Sequence, residues 1–111
     1  MNIKKYCFDL DGVICNNTYG DYEKAVPYKL AILKINKLFD EGNYILIYTS
    51  RYMGKFNNDV SKVKDYGYIK TKIQLENWGL KFNQLLLGKP EYDFIIDDKS
   101  IFFKNDWFEQ I

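Results

Sequence analysis

The chain is 111 residues long, 47% hydrophobic and 18% aromatic, which supports one compact core without disulfide staples and argues against disorder. The absence of histidine excludes imidazole bases, His-ligated zinc and Ser-His-Asp relays, so chemistry falls to carboxylates, Lys, Arg, Ser and Thr. A formal charge of +1 gives no long-range field for polyanions, and general nucleic-acid binding is not expected.

The predicted elements alternate between strand and helix. Residues 3–8 form a short apolar and aromatic run that stops at Asp9, as a buried strand delivering acids to a sheet edge would. After a polar loop, residues 27–41 read as a helix, with Pro27 in its first turn and Gly42 at its stop. Residues 44–48 are β-branched, aliphatic or aromatic and form the second strand, followed by Thr49, Ser50 and Arg51. Residues 58–66 and 71–78 read as two short helices divided by Gly67 and closed by Gly79. Residues 85–87 and 94–96 are the third and fourth strands, and the aromatic tail over 101–111 is expected to pack on the core as a short strand or helix. The pattern predicts an α/β fold, a Rossmann-like three-layer sandwich with a mostly parallel central sheet in a single domain over 1–111.

Cys7 and Cys15 lack metal-binding spacing, and two lone thiols fit a reduced cytoplasmic chain, with Cys7 as a buried strand residue. The first apolar run is cut by Asp9 too early for a signal peptide, and no stretch approaches the length of a membrane span.

Ligands of parallel α/β sheets bind beyond the carboxyl ends of the strands, so the residues just past each strand are the candidates. Asp9 and Asp11 are two apart, and both carboxylates can lean to one side of an extended backbone. Two close like charges call for a cation such as Mg2+, and Asp97 or Asp98 would complete its ligand set. The alternative for Asp9-Leu10-Asp11-Gly12 is an ordinary acidic turn. An EF-hand is excluded, because Val13 and Gly20 occupy positions where it needs acids. Thr49 suits a phosphate oxygen or a structural cap. Arg51 is the chain's only arginine, and its fork suits phosphate or carboxylate as well as a surface ion pair. Lys89, between Gly88 and Pro90, can place an ammonium beside an anion or sit in a solvated turn.

Taken in order, Phe8-Asp9-Leu10-Asp11-Gly12-Val13-Ile14, Thr49, Lys89 and Asp97-Asp98 resemble the four motifs of the haloacid dehalogenase-like phosphohydrolase superfamily across nearly the whole chain. Trp78-Gly79-Leu80, Leu87-Gly88-Lys89-Pro90 and Ile96-Asp97-Asp98-Lys99 are similar to small bacterial members of capsule or lipopolysaccharide biosynthesis. The resemblance implies a minimal core without a cap domain and a Mg2+-dependent phosphatase working through an aspartyl-phosphate. It makes Asp9 the nucleophile and Asp11 the general acid and base. It assigns Mg2+ to the Asp9 carboxylate, the Asp11 carbonyl, Asp98 and Asp97, and the transferring phosphoryl group to Thr49, Ser50 and Lys89. Arg51 is then expected to contact substrate, a small phosphomonoester of a sugar, polyol or amino alcohol, enclosed with help from a second copy of the chain. The alternatives are a phosphatase for nucleic-acid ends or phosphoproteins, and a non-catalytic binding module that uses Trp107 and Phe108 as a contact surface. One departure is visible: only residues 88–93 separate the third and fourth strands, too few for a helical crossover, so Lys89 is expected to reach the site from a loop.

Overall fold

The structure, a computed structural model, describes residues 2–111. Three parallel strands form the sheet in the order β1 (Lys5–Phe8), β2 (Tyr44–Thr49), β3 (Gln84–Leu87). Helix α1 (Lys29–Asp40) connects β1 to β2, and α2 (Val60–Asn77) connects β2 to β3. The expected α/β class and parallel sheet are observed. Ile45, Ile47 and Thr49 alternate inward on β2, and Leu85 and Leu87 do so on β3.

Helix α1 buries Ala31, Ile32, Ile35 and Leu38, the stripe that its three- and four-residue spacing implies, and Gly42 ends it at a φ of 95°. Its expected start is too early. Pro27 lies before the helix and pairs with Cys15 instead, while the Tyr28 amide donates to the Ile14 carbonyl at 2.8 Å. The N-terminal edge of the sheet is closed by two asparagines. Asn43 accepts from the Lys4 amide at 2.9 Å, and Asn83 accepts from the Ile45 amide at 2.7 Å.

Three expectations are corrected. First, the two short helices are one, α2, capped by the Asp59 carboxylate accepting from the Lys62 amide at 3.3 Å. Gly67 does not break it, because the glycine serves a packing purpose: a Cβ there would lie inside the ring of Tyr52. Second, residues 94–96 are not a strand. Residues 91–106 are exposed and carry no strand, and the six residues after β3 cannot supply the crossover that another parallel strand requires. Third, Cys7 is exposed, because it alternates with the buried Phe8 on β1 and so lies on the opposite face of the sheet.

The tail does pack on the core, as a 3-10 turn over Trp107–Glu109. The Trp107 ring lies 5.2 Å from that of Phe8, and its indole N–H donates to the Val13 carbonyl at 3.1 Å. Trp107 is therefore buried and does not form the contact surface expected for a binding module.

Substituting Gly67→Ala tests the packing account against helix propensity, which alone would favour alanine by about 1 kcal/mol. The ring of Tyr52 has to move, so a net loss of about 1–3 kcal/mol is expected in denaturant unfolding. Gly67→Ala in a Tyr52→Ala background should instead be neutral or stabilising.

Candidate functional site

The strand register places the candidate residues along one edge. Phe8 is level with Ile47 and Thr49 with Leu87, so Asp9, residues 49–51 and residues 88–89 all emerge at the carboxyl end of the sheet. The Lys89 amide donates to the Thr49 carbonyl at 3.1 Å, tying the loop after β3 to the end of β2. Lys89 thus arrives from a loop, as expected.

Asp9 begins a tight turn anchored by the buried side chains of Leu10 and Ile14. The amides of Val13, Ile14 and Cys15 converge on the Leu10 carbonyl at 3.2, 2.9 and 3.4 Å. Gly12 takes a φ of 89°, a conformation that glycine adopts without a Cβ penalty. The Asp9 side chain is 38% exposed, accepts from the Leu10 amide at 2.8 Å and lies 3.4 Å from the Lys89 ammonium. Burial pulls the Lys89 pKa down, but the Tyr92 phenol and the Asp9 carboxylate outweigh it and hold the pKa above its usual value.

Asp11 has a different environment. Arg51 donates to it from Nε at 2.9 Å and from Nη2 at 2.8 Å, a bidentate pair in which the arginine side chain is 1% exposed. Arg51 Nη1 donates to Gln74 at 2.6 Å, Gln74 donates to the Tyr22 carbonyl at 2.8 Å, and the Tyr22 ring lies 4.7 Å from the guanidinium carbon. Burial disfavours the arginine's charge, and the hydrogen bonds and field of Asp11 more than restore it, raising its pKa. The expected contact of Arg51 with substrate is not the contact made here: its donors are turned inward on Asp11 and Gln74. Nothing in the sequence around Arg51 marked this. The available signal was the pairing of the chain's only arginine with an acid that precedes a glycine turn.

Thr49 is 1% exposed, and its hydroxyl oxygen accepts from the Arg51 amide at 3.2 Å, the capping role set against phosphate binding. Ser50 is half-buried at the same edge, its carbonyl accepting from the Met53 amide at 3.1 Å.

The acids do not come together as the spacing suggested. Asp97 and Asp98 lie on an exposed turn in which the Asp97 carboxylate accepts from the Lys99 amide at 2.8 Å. Among the described residues, no three Asp, Glu or Cys side chains form a group able to hold a metal ion. Asp11 directs both oxygens to Arg51, whereas the 38% exposed Asp9 has one oxygen on the Leu10 amide and the other toward Lys89. As placed, these carboxylates do not form a preassembled cluster of three.

Cys15 sits under the Asp9 turn, its thiol 3.4 Å from Asp11 and 3.8 Å from Arg51. Burial first, and then the Asp11 charge, push its pKa up to about 12.

Two outcomes follow from these environments. Removing the guanidinium in Arg51→Met leaves the partly buried Asp11 carboxylate without its partner and should destabilise the protein by about 3 kcal/mol, measured by urea unfolding. The Cys15 thiol keeps its proton in the folded chain up to about 12, whereas the unfolded chain releases it near 9.0. Stability should therefore be intact below that lower value and fall as pH rises through the window, by at most about 1.4 kcal/mol per pH unit. A Cys15→Ala variant should show a shallower alkaline decline in the same unfolding experiment.

Comparison with protein-family models finds no match, and neither does comparison with curated proteins. The fold is similar to the crystal structure of a structural-genomics target from Vibrio cholerae, with 25% identity and a TM-score of 0.86. The alignment covers 98% of this chain and 89% of that one. No helix among the described residues is long and apolar enough to cross a membrane. The comparisons bear on architecture: the chain has an α/β fold built on a three-stranded parallel sheet, consistent with a Rossmann-like arrangement.

Proposed function

We propose that the protein is a phosphatase of the haloacid dehalogenase type, without a cap, hydrolysing a small phosphomonoester at Asp9. The observation that carries this reading is the half-open Asp9 carboxylate at the carboxyl end of β1 with the Lys89 ammonium 3.4 Å away. A nucleophile beside a fixed cation is the minimum apparatus for accepting a phosphoryl group. In the first step an Asp9 oxygen bonds to phosphorus and the ester P–O bond breaks, giving the acyl phosphate and an alkoxide that takes up a proton. In the second, water adds to phosphorus, the acyl P–O bond breaks, inorganic phosphate leaves and Asp9 is restored. Lys89 offsets the charge on Asp9 and on the transferring oxygens throughout.

The resemblance gives the proton transfers to Asp11. In this structure its carboxylate is committed to Arg51, so acting as acid and base requires it to exchange that partner. Otherwise its contribution is to hold the turn that presents Asp9. Mg2+ would supply charge neutralisation at Asp9, and Asp97 and Asp98 are the further carboxylates that the resemblance names to hold it.

A second reading is a phosphate-binding module without turnover, favoured by the dispersed acids and by the Arg51 clamp on Asp11. Phosphate release from p-nitrophenyl phosphate, with Mg2+ present and with chelator, separates the two. The phosphatase reading expects Mg2+-dependent release that drops by roughly a thousandfold or more in Asp9→Asn. Release undiminished in Asp9→Asn overturns it. Saturable binding of orthophosphate with no release by the wild-type chain supports the binding module.

A further inference from the structure

An aromatic cluster lies against α2, where the ring of Tyr52 packs on Gly67. Its rings are in edge contact: Tyr22 to Tyr52 at 5.0 Å, Tyr52 to Tyr66 at 5.1 Å and Tyr66 to Phe56 at 5.2 Å. Two ammonium groups converge on one of these rings. Lys70 Nζ is 3.8 Å and Lys55 Nζ 4.8 Å from the Tyr66 centroid. Among the described residues, neither lysine forms an ion pair with a carboxylate. Their proximity, through hydrogen bonding and charge, also holds the Tyr66 phenol below its usual pKa.

Lys70 lines a cavity of about 280 Å³ together with Tyr22, Arg51, Tyr52, Asn77 and Trp78. Glu23 is the one acid on its lining. Two ammonium groups on one ring, beside a cavity of mixed aromatic and polar lining, match a ligand with a compact body and a multiply charged head. The head is assigned to phosphate rather than carboxylate because both cations are ammonium point charges. The guanidinium that would provide a planar fork for a carboxylate is already spent on Asp11.

We propose that Lys55, Tyr66 and Lys70 form a second binding site, separate from Asp9, for the phosphate group of a small molecule whose body occupies the adjoining cavity. Arg51 touches this cavity on one side and Asp11 on the other, so occupancy is sensed at the turn that presents Asp9.

The test is NMR of the protein labelled with ¹³C-tyrosine, the Tyr66 signal being assigned by its loss in Tyr66→Phe, with inorganic pyrophosphate as probe near neutral pH. A saturable shift of the Tyr66 signal is expected, weakened by about tenfold or more in the Lys55→Ala/Lys70→Ala double variant. These side chains are exposed, and retention of the fold in the double variant is checked by its thermal unfolding. No shift of Tyr66, or equal affinity in the double variant, overturns the site. An equal response to acetate overturns the assignment to phosphate. The shift should persist in Asp9→Asn, so the result does not depend on whether the chain hydrolyses phosphomonoesters.

Discussion

The arrangement of the sheet edge depends on one buried ion pair. Arg51 leaves the end of β2 and reaches Asp11 in the loop that follows β1, joining two connections 40 residues apart in sequence. Neither partner is placed cheaply. The guanidinium is removed from water, and desolvation alone would disfavour its charge. Bidentate geometry, the Gln74 amide oxygen and the Tyr22 ring compensate, so the charge is fully partnered where water does not reach. Such a pair contributes more to defining one conformation than to net stability. It gives the turn of residues 10–15 a single orientation, and that orientation sends Asp9 outward and Asp11 inward.

Chemically, the two acids of Asp9-Leu10-Asp11-Gly12 are therefore unlike. One faces an ammonium from a loop at partial exposure, the other a guanidinium in the interior. One residue separates them and both are aspartate, yet their surroundings differ: Asp9 is partly exposed while Asp11 is clamped by Arg51. Thr49 belongs with Asp11 in this respect, its hydroxyl oxygen capping the backbone that launches Arg51.

The fold class, the three parallel strands and the first helix were legible because apolar periodicity and glycine stops report local structure directly. Two features were not. Gly67 carries the ordinary signal of a helix break, and only the position of Tyr52, 15 residues away, shows that it provides room for a ring. The run Phe94-Ile95-Ile96 has the composition of a strand, but membership in a parallel sheet depends on the length of the connection before it, a non-local constraint. That same uncertainty reached the site, since Asp97 and Asp98 directly follow this run. Asp9 and Lys89 were recognisable because one directly follows a strand and the other comes two residues after one. Arg51 was recognisable as special but not as buried, because a sequence shows which charges exist and not which of them face each other.

The hydrogen bond from the Trp107 indole to the Val13 carbonyl spans 94 residues. During synthesis, the first loop emerges long before the residue that clamps it. Until then Phe8 has only the Tyr6 ring beside it and the loop lacks this tether. A chain cut before Trp107 would close its first loop with local hydrogen bonds alone.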